Sequence, residues 1–203
     1  MSSLPPNPFV SRGGLKLQYA LEVFDLDVAG MRCADFGANV GGFTDCLLQA
    51  GAAHVTAVDT GYGTLAWKLR QDPRVGVMER NNALHAAPPG GGRFDLVVMD
   101  MGWTPQRMCV PASLRWIGRA GRIVTLVKPH YELVGEEKPW LSAGVLSVDD
   151  AAKVADRVMA EMPTLGVRVV ASTLSPVVGG GGKTKGNAAG NREWLALLER
   201  AGS

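Results

Sequence analysis

The chain has 203 residues, of which 46% are hydrophobic and 20% are charged. This length and balance are typical of one folded domain with a full core, and they exclude a disordered chain. The net charge of +2 allows a polyanionic partner without requiring one. No run approaches about 18 apolar residues and the first residues carry no apolar signal segment, so we expect neither a membrane span nor secretion.

Three cysteines, Cys33, Cys46 and Cys109, are scattered along the chain. None belongs to a C-x-x-C pair, so the sequence predicts neither a zinc site nor a disulfide framework. We therefore expect buried free thiols in a reducing, cytoplasmic compartment, and no metal.

The apolar pattern alternates between strand-like and helix-like segments. Residues 1–10 hold three of the twelve prolines and predict an extended lead-in to a domain at 11–203. The predicted strands cover 31–36, 54–60, 75–79, 94–100, 121–128 and 167–172, with a last strand or short helix at 192–198. The predicted helices cover 14–24 with Ser11 as cap, 62–70, 111–119, and 148–162 with Ser147 as cap.

Strands that alternate with helices favour parallel pairing through right-handed crossovers. The sequence therefore predicts an α/β fold with a doubly wound, mostly parallel, seven-stranded sheet, helices on both faces and an N-terminal helix. The last two strands are joined without a helix, so we expect one of them to run antiparallel.

A glycine turn at residues 37–42 lies between the first strand and the next helix. Such a turn cradles the polar parts of a nucleotide-like ligand. The dinucleotide fingerprint G-x-G-x-x-G has a middle glycine that lets the backbone approach a pyrophosphate, and this chain has Asn39 there. The side chain of Asn39 disfavours a pyrophosphate and favours a smaller polar tail, such as an amino-acid moiety.

Two acidic residues suit the rest of such a ligand. Asp35, just before the turn, could meet an ammonium group, and Asp59, at the end of the second strand, could accept hydrogen bonds from a ribose diol. S-adenosylmethionine carries an ammonium, a carboxylate, a ribose and an adenine, so we expect it as the cofactor. An NAD(P) site and a plain tight turn are the alternatives.

Functional residues also collect where the central strands end. The fourth strand ends in Asp100 and the fifth in Lys128, and both ends should lie at the ligand edge of the sheet. Lys16 lies on the N-terminal helix and Glu193 on the last element. Partly buried ion pairs are the structural alternative to a catalytic role for these four residues.

A set of motifs over residues 9–200 resembles the methyltransferase domain of the TlyA-type haemolysin and ribosomal-RNA 2′-O-methyltransferase family, within the wider FtsJ-like group. The motifs are Ser-Arg-Gly-Gly-Leu-Lys at 11–16, Gly-Gly-Phe-Thr-Asp-Cys-Leu-Leu at 41–48, Ala-Val-Asp at 57–59, Gly-Thr-Leu-Ala-Trp-Lys-Leu-Arg at 63–70, Asp-Pro-Arg-Val at 72–75, Val-Lys-Pro at 127–129 and Gly-Asn-Arg-Glu at 190–193. The family's N-terminal S4-like RNA-binding domain has no counterpart in these residues, so we expect RNA to be held by this domain or a partner.

The resemblance implies a Rossmann-like fold and S-adenosylmethionine as the cofactor. It also implies RNA as the substrate, with ribosomal RNA as the expected class. It implies a catalytic Lys-Asp-Lys-Glu tetrad at Lys16, Asp100, Lys128 and Glu193. The cofactor-binding residues that follow from the turn and the resemblance are Asp35, Gly37, Asn39, Gly41, Gly42, Phe43, Asp59, Asn82 and Asp100.

Methyl transfer to a ribose hydroxyl needs a group that takes up the hydroxyl proton. Lysine, with a reference pKa near ~10.4, serves as such a base only where a neighbouring ammonium and partial desolvation favour the amine form. We expect Lys128 as the base, Lys16 as the neighbouring ammonium, and Asp100 and Glu193 as the carboxylates that orient Lys128.

The chain departs from the family pattern around the mouth of the site. Asn39-Val40 replaces Ser-Thr, the run 101–105 after Asp100 differs, and His130-Tyr131 replaces Gln-Phe. Trp103 could stack on a base or simply pack, and His130 could have a role in the site. The glycine-rich run 179–185 does not follow a strand and begin a helix, as a P-loop does. It is either a basic loop that contacts phosphates or a solvated linker.

Two other functions stay open: a methyltransferase of a small molecule, and a non-catalytic binding module. A continuous positive surface that joins Arg12, Lys16 and the lysines at 183 and 185 to the pocket would favour RNA. An acidic or closed mouth would favour a small molecule.

Overall fold

The computed structural model describes residues 7–179 and 190–202. The strands are β1 (Arg32–Phe36), β2 (His54–Asp59), β3 (Val75–Glu79), β4 (Phe94–Met99), β5 (Ile117–Val127), β6 (Val167–Leu174) and β7 (Trp194–Arg200). The helices are α1 (Gly13–Val23), α2 (Gly42–Gln49), α3 (Trp67–Arg70), α4 (Gln106–Leu114) and α5 (Val148–Glu161).

The seven strands form one sheet in the order β3-β2-β1-β4-β5-β7-β6. The first five strands in sequence pair in parallel, and β7 runs antiparallel to both β5 and β6. This confirms the predicted α/β class, the mostly parallel seven-stranded sheet and the antiparallel strand at the end. The carboxyl ends of β1, β2, β4 and β5 therefore meet at one edge, which is where ligands bind in such sheets.

The central strands are apolar along their length because helices cover both faces of the sheet. One face packs against α1 and α2 through an apolar cluster that includes Leu17 and Leu47. The other face packs against α4 and α5 through a cluster around Phe36, Trp116 and Val158. The rings of Phe36 and Trp116 meet edge to face with centroids 5.0 Å apart, an arrangement that aromatic pairs prefer.

Two predicted helices differ from the observed ones. The predicted helix at 62–70 is reduced to α3, because Gly63 has a φ of +74° and Asp59 and Glu79 accept hydrogen bonds from the backbone of the preceding loop. The predicted helix at 111–119 is wrong in position. α4 ends at Leu114, and residues 117–119 already belong to β5.

The start of α4 explains the second error. Pro111, where the predicted helix begins, lies inside α4. The backbone N–H of Gln106 donates to the Glu132 side chain at 2.8 Å, so the helix begins at a contact with a residue far along the sequence. Such a cap leaves no local signal.

The two predicted helix caps have different outcomes. Ser147 caps α5, because its Oγ accepts a hydrogen bond from the backbone N–H of Asp150 at 3.1 Å. Ser11 does not cap α1; its Oγ accepts from Gly13 at 3.3 Å, and Arg12 occupies the cap position.

The remaining predictions concern the termini and the thiols. Within residues 7–10 the chain is irregular, and the earlier part of the predicted lead-in lies outside the described residues. All three cysteines are free and buried, as predicted. Among the described residues no helix has the length and apolar character to cross a bilayer.

Candidate active site

A pocket of about 980 Å³ opens at the carboxyl edge of the central strands. Most residues that the sequence predicted for the site line this pocket: Lys16, Asp35, Gly37, Asn39, Gly42, Phe43, Asp59, Asn82, Asp100, Lys128 and Glu193. Gly41 is the exception. It is the left-handed cap of α2, with a φ of +101°, and an added Cβ would lie 2.3 Å from Leu69 Cδ1. Gly41 therefore shapes the turn from behind the pocket wall.

The glycine turn is folded around the ends of two strands. Gly37 has a φ of +83°, and a Cβ there would lie 2.8 Å from the backbone oxygen of Asp100. Asn39 also adopts a left-handed conformation, with a φ of +49°, and its N–H donates to Asp59 Oδ2 at 2.8 Å. Glycine at position 37 thus allows the end of β4 to approach the turn, and Asp59 anchors the turn to β2.

Asp35 is fully buried at the end of β1. Its Oδ2 accepts hydrogen bonds from the backbone N–H and the hydroxyl of Thr44, at 3.0 and 2.7 Å. Its Oδ1 is buried without a hydrogen-bond partner among the described residues. The pKa of Asp35 is raised to about 7, and burial is the main cause. The hydrogen bonds from Thr44 lower this pKa, and the charges of Asp100 and Asp59 raise it. A buried acceptor oxygen in a pocket wall suits a cationic ligand group.

Asp59 faces the pocket from the end of β2. Its Oδ1 accepts a hydrogen bond from the N–H of Gly61 at 2.7 Å, while Oδ2 accepts from Asn39. Each carboxylate oxygen can accept more than one hydrogen bond. Asp59 can therefore still accept bonds from a pair of ligand hydroxyls.

The predicted tetrad forms two ion pairs. Lys128, directly after β5, has its Nζ 2.5 Å from Oδ1 of Asp100, directly after the neighbouring β4. Lys16 of α1 has its Nζ 2.5 Å from Oε2 of Glu193, directly before β7. The second pair is the more buried, with side-chain exposures of 10% and 4%. Glu193 thus binds Lys16, where we expected it to orient Lys128.

The two pairs also interact with each other. Burial raises the pKa of Glu193, the charges of Lys16 and Lys128 lower it, and the charge of Asp100 raises it. All four side chains are therefore close enough to influence one another. The two carboxyl groups and the two lysine side chains therefore form one cluster in the pocket.

Aromatic residues line the mouth of the pocket. The Trp103 side chain is 83% exposed, and its ring centroid lies 5.9 Å from that of Tyr131. His130 packs on Tyr131 at 4.0 Å, and its Nδ1 is buried without a partner among the described residues. Burial and the charges of Lys128 and Lys16 lower the pKa of His130 to about 4, so its ring is neutral at pH 7. Trp103 is thus exposed rather than packed, and its stacking on a base stays a prediction.

Among the described residues, the charged side chains that line the pocket are of both signs. Three are cationic, Arg12, Lys16 and Lys128, and four are acidic, Asp35, Asp59, Asp100 and Glu193. Both lysines are bound to carboxylates. The lysines at 183 and 185 lie outside the described residues. In the described part of the chain, no group of His, Cys, Asp and Glu side chains is arranged to hold a metal ion.

Three residues that support the site were not predicted from the sequence. Thr44 binds Asp35, Gly179 packs against Glu193, and Asn191 joins three segments of chain. Thr44 and Asn191 lie inside motifs that were recognised for their neighbours, at 41–48 and 190–193. Gly179 lies in a glycine-rich run, where no local signal distinguishes a packed glycine from a mobile one.

The sheet order and the pocket at its carboxyl edge define the class of Rossmann-like α/β folds. A solved S-adenosylmethionine-dependent methyltransferase from Mesorhizobium loti has a TM-score of 0.56 with this chain, over 90% of this chain and 96% of that one. The two are 15% identical, so the likeness concerns the fold alone.

Other proteins are similar in sequence as well. The 16S/23S rRNA (cytidine-2′-O)-methyltransferase TlyA of Mycobacterium tuberculosis is 53% identical over 126 residues, which are 62% of this chain and 47% of that protein. A solved structure from Streptococcus thermophilus that carries the name hemolysin is 38% identical, with a TM-score of 0.88, over 99% of this chain and 70% of that one. The chain thus spans about half the length of the mycobacterial relative.

The model of the FtsJ-like methyltransferase family matches residues 9–173. The chain belongs to this family.

Proposed function

We propose that this chain transfers a methyl group from S-adenosylmethionine to a ribose 2′-hydroxyl of RNA, with ribosomal RNA as the substrate class. The observation that carries the proposal is the meeting of Lys16, Asp100, Lys128 and Glu193 as two ion pairs in one pocket. The name of the mycobacterial relative supports RNA as the acceptor.

The pocket residues fit S-adenosylmethionine. The unpartnered Oδ1 of Asp35 suits its ammonium group, and Asp59 suits its ribose diol. Asn82, on the loop after β3, lines the side of the pocket where we place the adenine. When bound, S-adenosylmethionine supplies a methyl group carried on a sulfonium sulfur. The leaving group is a neutral thioether, so its departure needs no acid.

Lys128 and Asp100 handle the acceptor proton in this proposal. A ribose hydroxyl is a weak nucleophile, so its proton has to be removed as its oxygen gains the methyl group. Lys128 in its amine form takes up that proton at Nζ. The Asp100 carboxylate, 2.5 Å away, stabilises the ammonium that results. The pair thus acts as a base whose charged product is already matched by a carboxylate.

Lys16 and Glu193 hold the wall of the pocket beside that base. Their ion pair keeps a second ammonium within electrostatic range without leaving its charge unbalanced. We further propose that residues 11–203 act as one domain in the cytoplasm, where ribosomal RNA is found.

A small-molecule acceptor is the second candidate. The charged residues that line the described pocket include more carboxyls than cations, which does not attract a polyanion. This charge balance is the observation that favours a small acceptor.

The test is transfer of tritiated methyl from S-adenosylmethionine to total RNA. We expect label on RNA with the unchanged protein and a loss of about 100- to 10,000-fold with Lys128→Ala, because the base is removed. Lys153→Ala is the matched control, since Lys153 is exposed on α5 and lies outside the pocket. Alkaline hydrolysis of the product shows whether the methyl group lies on a ribose or on a base. The phosphodiester bond next to a 2′-O-methyl ribose resists cleavage, whereas the bond next to a nucleotide with a methylated base is cleaved.

Three results would count against parts of the proposal. Label that persists in Lys128→Ala removes Lys128 as the base. If alkaline hydrolysis releases the label in mononucleotides, the ribose is not the acceptor. Label that appears only in the small-molecule fraction of a cell extract selects the second candidate.

A further inference from the structure

Glu193 is held by more than its ion pair with Lys16. It lies directly before β7, is 3% exposed, and its backbone oxygen accepts a hydrogen bond from the N–H of Ser175 at 2.8 Å. A carboxylate at this depth has few ways to move, so the residues packed around it determine where its oxygens lie.

The backbone of Gly179 lies directly against the Glu193 carboxylate. A Cβ built on Gly179 would be 1.9 Å from Oε1 and 2.4 Å from Cδ of Glu193. The φ of Gly179 lies outside the left-handed region. A Cβ at this position would therefore require the Glu193 carboxylate to move, whereas the backbone conformation would tolerate it.

Gly179 is itself fixed by Asn191. The two residues exchange backbone hydrogen bonds of 2.9 and 3.1 Å and form an isolated antiparallel bridge. Close approach of the two segments also needs Gly190, because a Cβ there would lie 2.1 Å from the Gly179 oxygen.

The side chain of Asn191 ties this bridge to a third segment. Asn191 is 7% exposed; its Oδ1 accepts from the N–H of Leu146 at 3.0 Å and its Nδ2 donates to the oxygen of Gly144 at 2.8 Å. Asn191 thus uses both its backbone and its side-chain groups to join the segments at 144–146, 179 and 191. The segment at 144–146 leads into Ser147, the cap of α5.

We infer that Asn191 and Gly179 are positioning residues that set where the Glu193 carboxylate meets the Lys16 ammonium. This inference rests on the proposed function, in which the Lys16–Glu193 pair supports Lys128. Gly179 forms the surface against which the carboxylate rests, and Asn191 fixes that surface relative to the segment before α5. Neither residue donates or accepts a proton in the reaction.

Gly179→Ala is the direct test. The added methyl group displaces the Glu193 carboxylate from Lys16, and a displacement of about 1 Å at such a site costs about 100-fold in rate. We expect kcat for methyl transfer to fall about 100-fold while KM changes little. Gly118→Ala is the matched control, because a Cβ at Gly118 meets its nearest atoms at ordinary distances of 3.7 and 3.8 Å.

The pH profile separates positioning from a general loss of structure. Lys16 lowers the pKa of Glu193, so moving the carboxylate away from Lys16 raises that pKa. The acidic limb of the kcat profile should therefore move to higher pH in Gly179→Ala and stay in place in Gly118→Ala. Asn191→Asp keeps an acceptor for Leu146 but loses the donor to Gly144, and it should move the limb in the same direction.

A measurement that does not depend on activity completes the test. We expect Gly179→Ala to lower the melting temperature by several degrees, and to lower it by less when Glu193 is already replaced in Glu193→Ala, because the clash is with that side chain. If the two substitutions act additively and the acidic limb does not move, the inference is overturned even where RNA is methylated. If they are coupled and the unchanged protein methylates no RNA, the proposed function fails and the inference about Glu193 stands.

Discussion

A single oxygen atom, Oδ1 of Asp35, is the most informative atom of the pocket. The other oxygen of this carboxyl, Oδ2, accepts two hydrogen bonds from Thr44. Oδ1 itself is buried and has no hydrogen-bond partner among the described residues. An acidic group with a raised pKa releases its proton when a cation binds next to it. The affinity for a ligand that carries an ammonium group should therefore depend on pH.

We predict this dependence for S-adenosylhomocysteine, which shares the amino-acid moiety of the methyl donor. The pKa of Asp35 is raised to about 7, so below that pH the carboxyl is protonated and has to lose its proton for the ligand to bind. The dissociation constant should rise up to about tenfold for each pH unit between about pH 7 and pH 5. Isothermal titration calorimetry measures both the constant and the proton released.

Asp35→Asn is the control, because an amide does not titrate in this range. It should bind more weakly at pH 8 and with an affinity that changes little down to pH 5. An unchanged affinity of the native protein across this range would mean that Asp35 does not meet the ammonium.

The sequence predicted the residue types of the site better than their pairing. Lys128 and Asp100 follow neighbouring parallel strands, so the fold class alone places them together. Lys16 and Glu193 come from α1 and from the segment before β7, and their distance depends on how a helix packs on the sheet. Periodicity carries no such information, which is why the Lys16–Glu193 pair was not predicted.

Among the elements, α4 illustrates how a helix can begin at a distant contact. Glu132 is buried, and its carboxyl accepts the N–H of Gln106 in the first turn of the helix. The pKa of Glu132 is raised to about 7, and burial is the main cause. The hydrogen bond from Gln106 and the charges of Arg157 and Arg107 lower this pKa, and the charge of Glu161 raises it. The position of α4 could not be predicted from residues 106–119 alone, because its cap lies outside them.

The raised pKa of Glu132 predicts a pH-dependent stability. The folded state keeps the proton to about pH 7, whereas the unfolded chain releases it near its ordinary pKa of 4.5. The folded state therefore binds more protons in this window, and the free energy of unfolding falls as the pH rises through it. Glu132→Gln keeps an acceptor for Gln106 and does not titrate. The native protein should lose on the order of 3 kcal/mol relative to Glu132→Gln between about pH 4.5 and pH 7.

Urea unfolding of both proteins at several pH values measures this difference. Glu136→Gln is a suitable control, since Glu136 is exposed on the segment after β5. A constant difference between native protein and Glu132→Gln would show that the carboxyl titrates alike in the folded and unfolded states.

At the scale of the whole molecule, the sheet was the most predictable feature. The strand segments are apolar and are separated by segments with helical periodicity. Alternating strands and helices are compatible with only a few sheet topologies. The antiparallel strand was predicted from the absence of a helix before it. Its place between β5 and β6, rather than at an edge, was not predicted, because it depends on pairing across the sheet.

The position of β7 predicts that the molecule needs its last strand. β7 pairs with both β5 and β6 and contributes buried residues to both apolar clusters. A chain shortened by residues 194–203 should lose its cooperative thermal transition, because β5 is left unpaired on one side and β6 is detached from the described sheet. A chain shortened by residues 202–203 is the control and should melt like the native protein, because Ala201 still donates its backbone hydrogen bond to Gly166. A sharp transition in the longer truncation, followed by circular dichroism, would contradict the prediction.

The inserted strand also orders events during protein synthesis. A ribosome extends the chain from the N-terminus at about 5–20 residues per second, so β5 and β6 are made before the strand that joins them. Until residues 194–200 emerge, the nascent chain presents the open edge of β5, which other strands can join. Glu193 directly precedes β7. The strand that closes the sheet and the residue that completes the group of four pocket residues are therefore synthesised within about a second or two of each other.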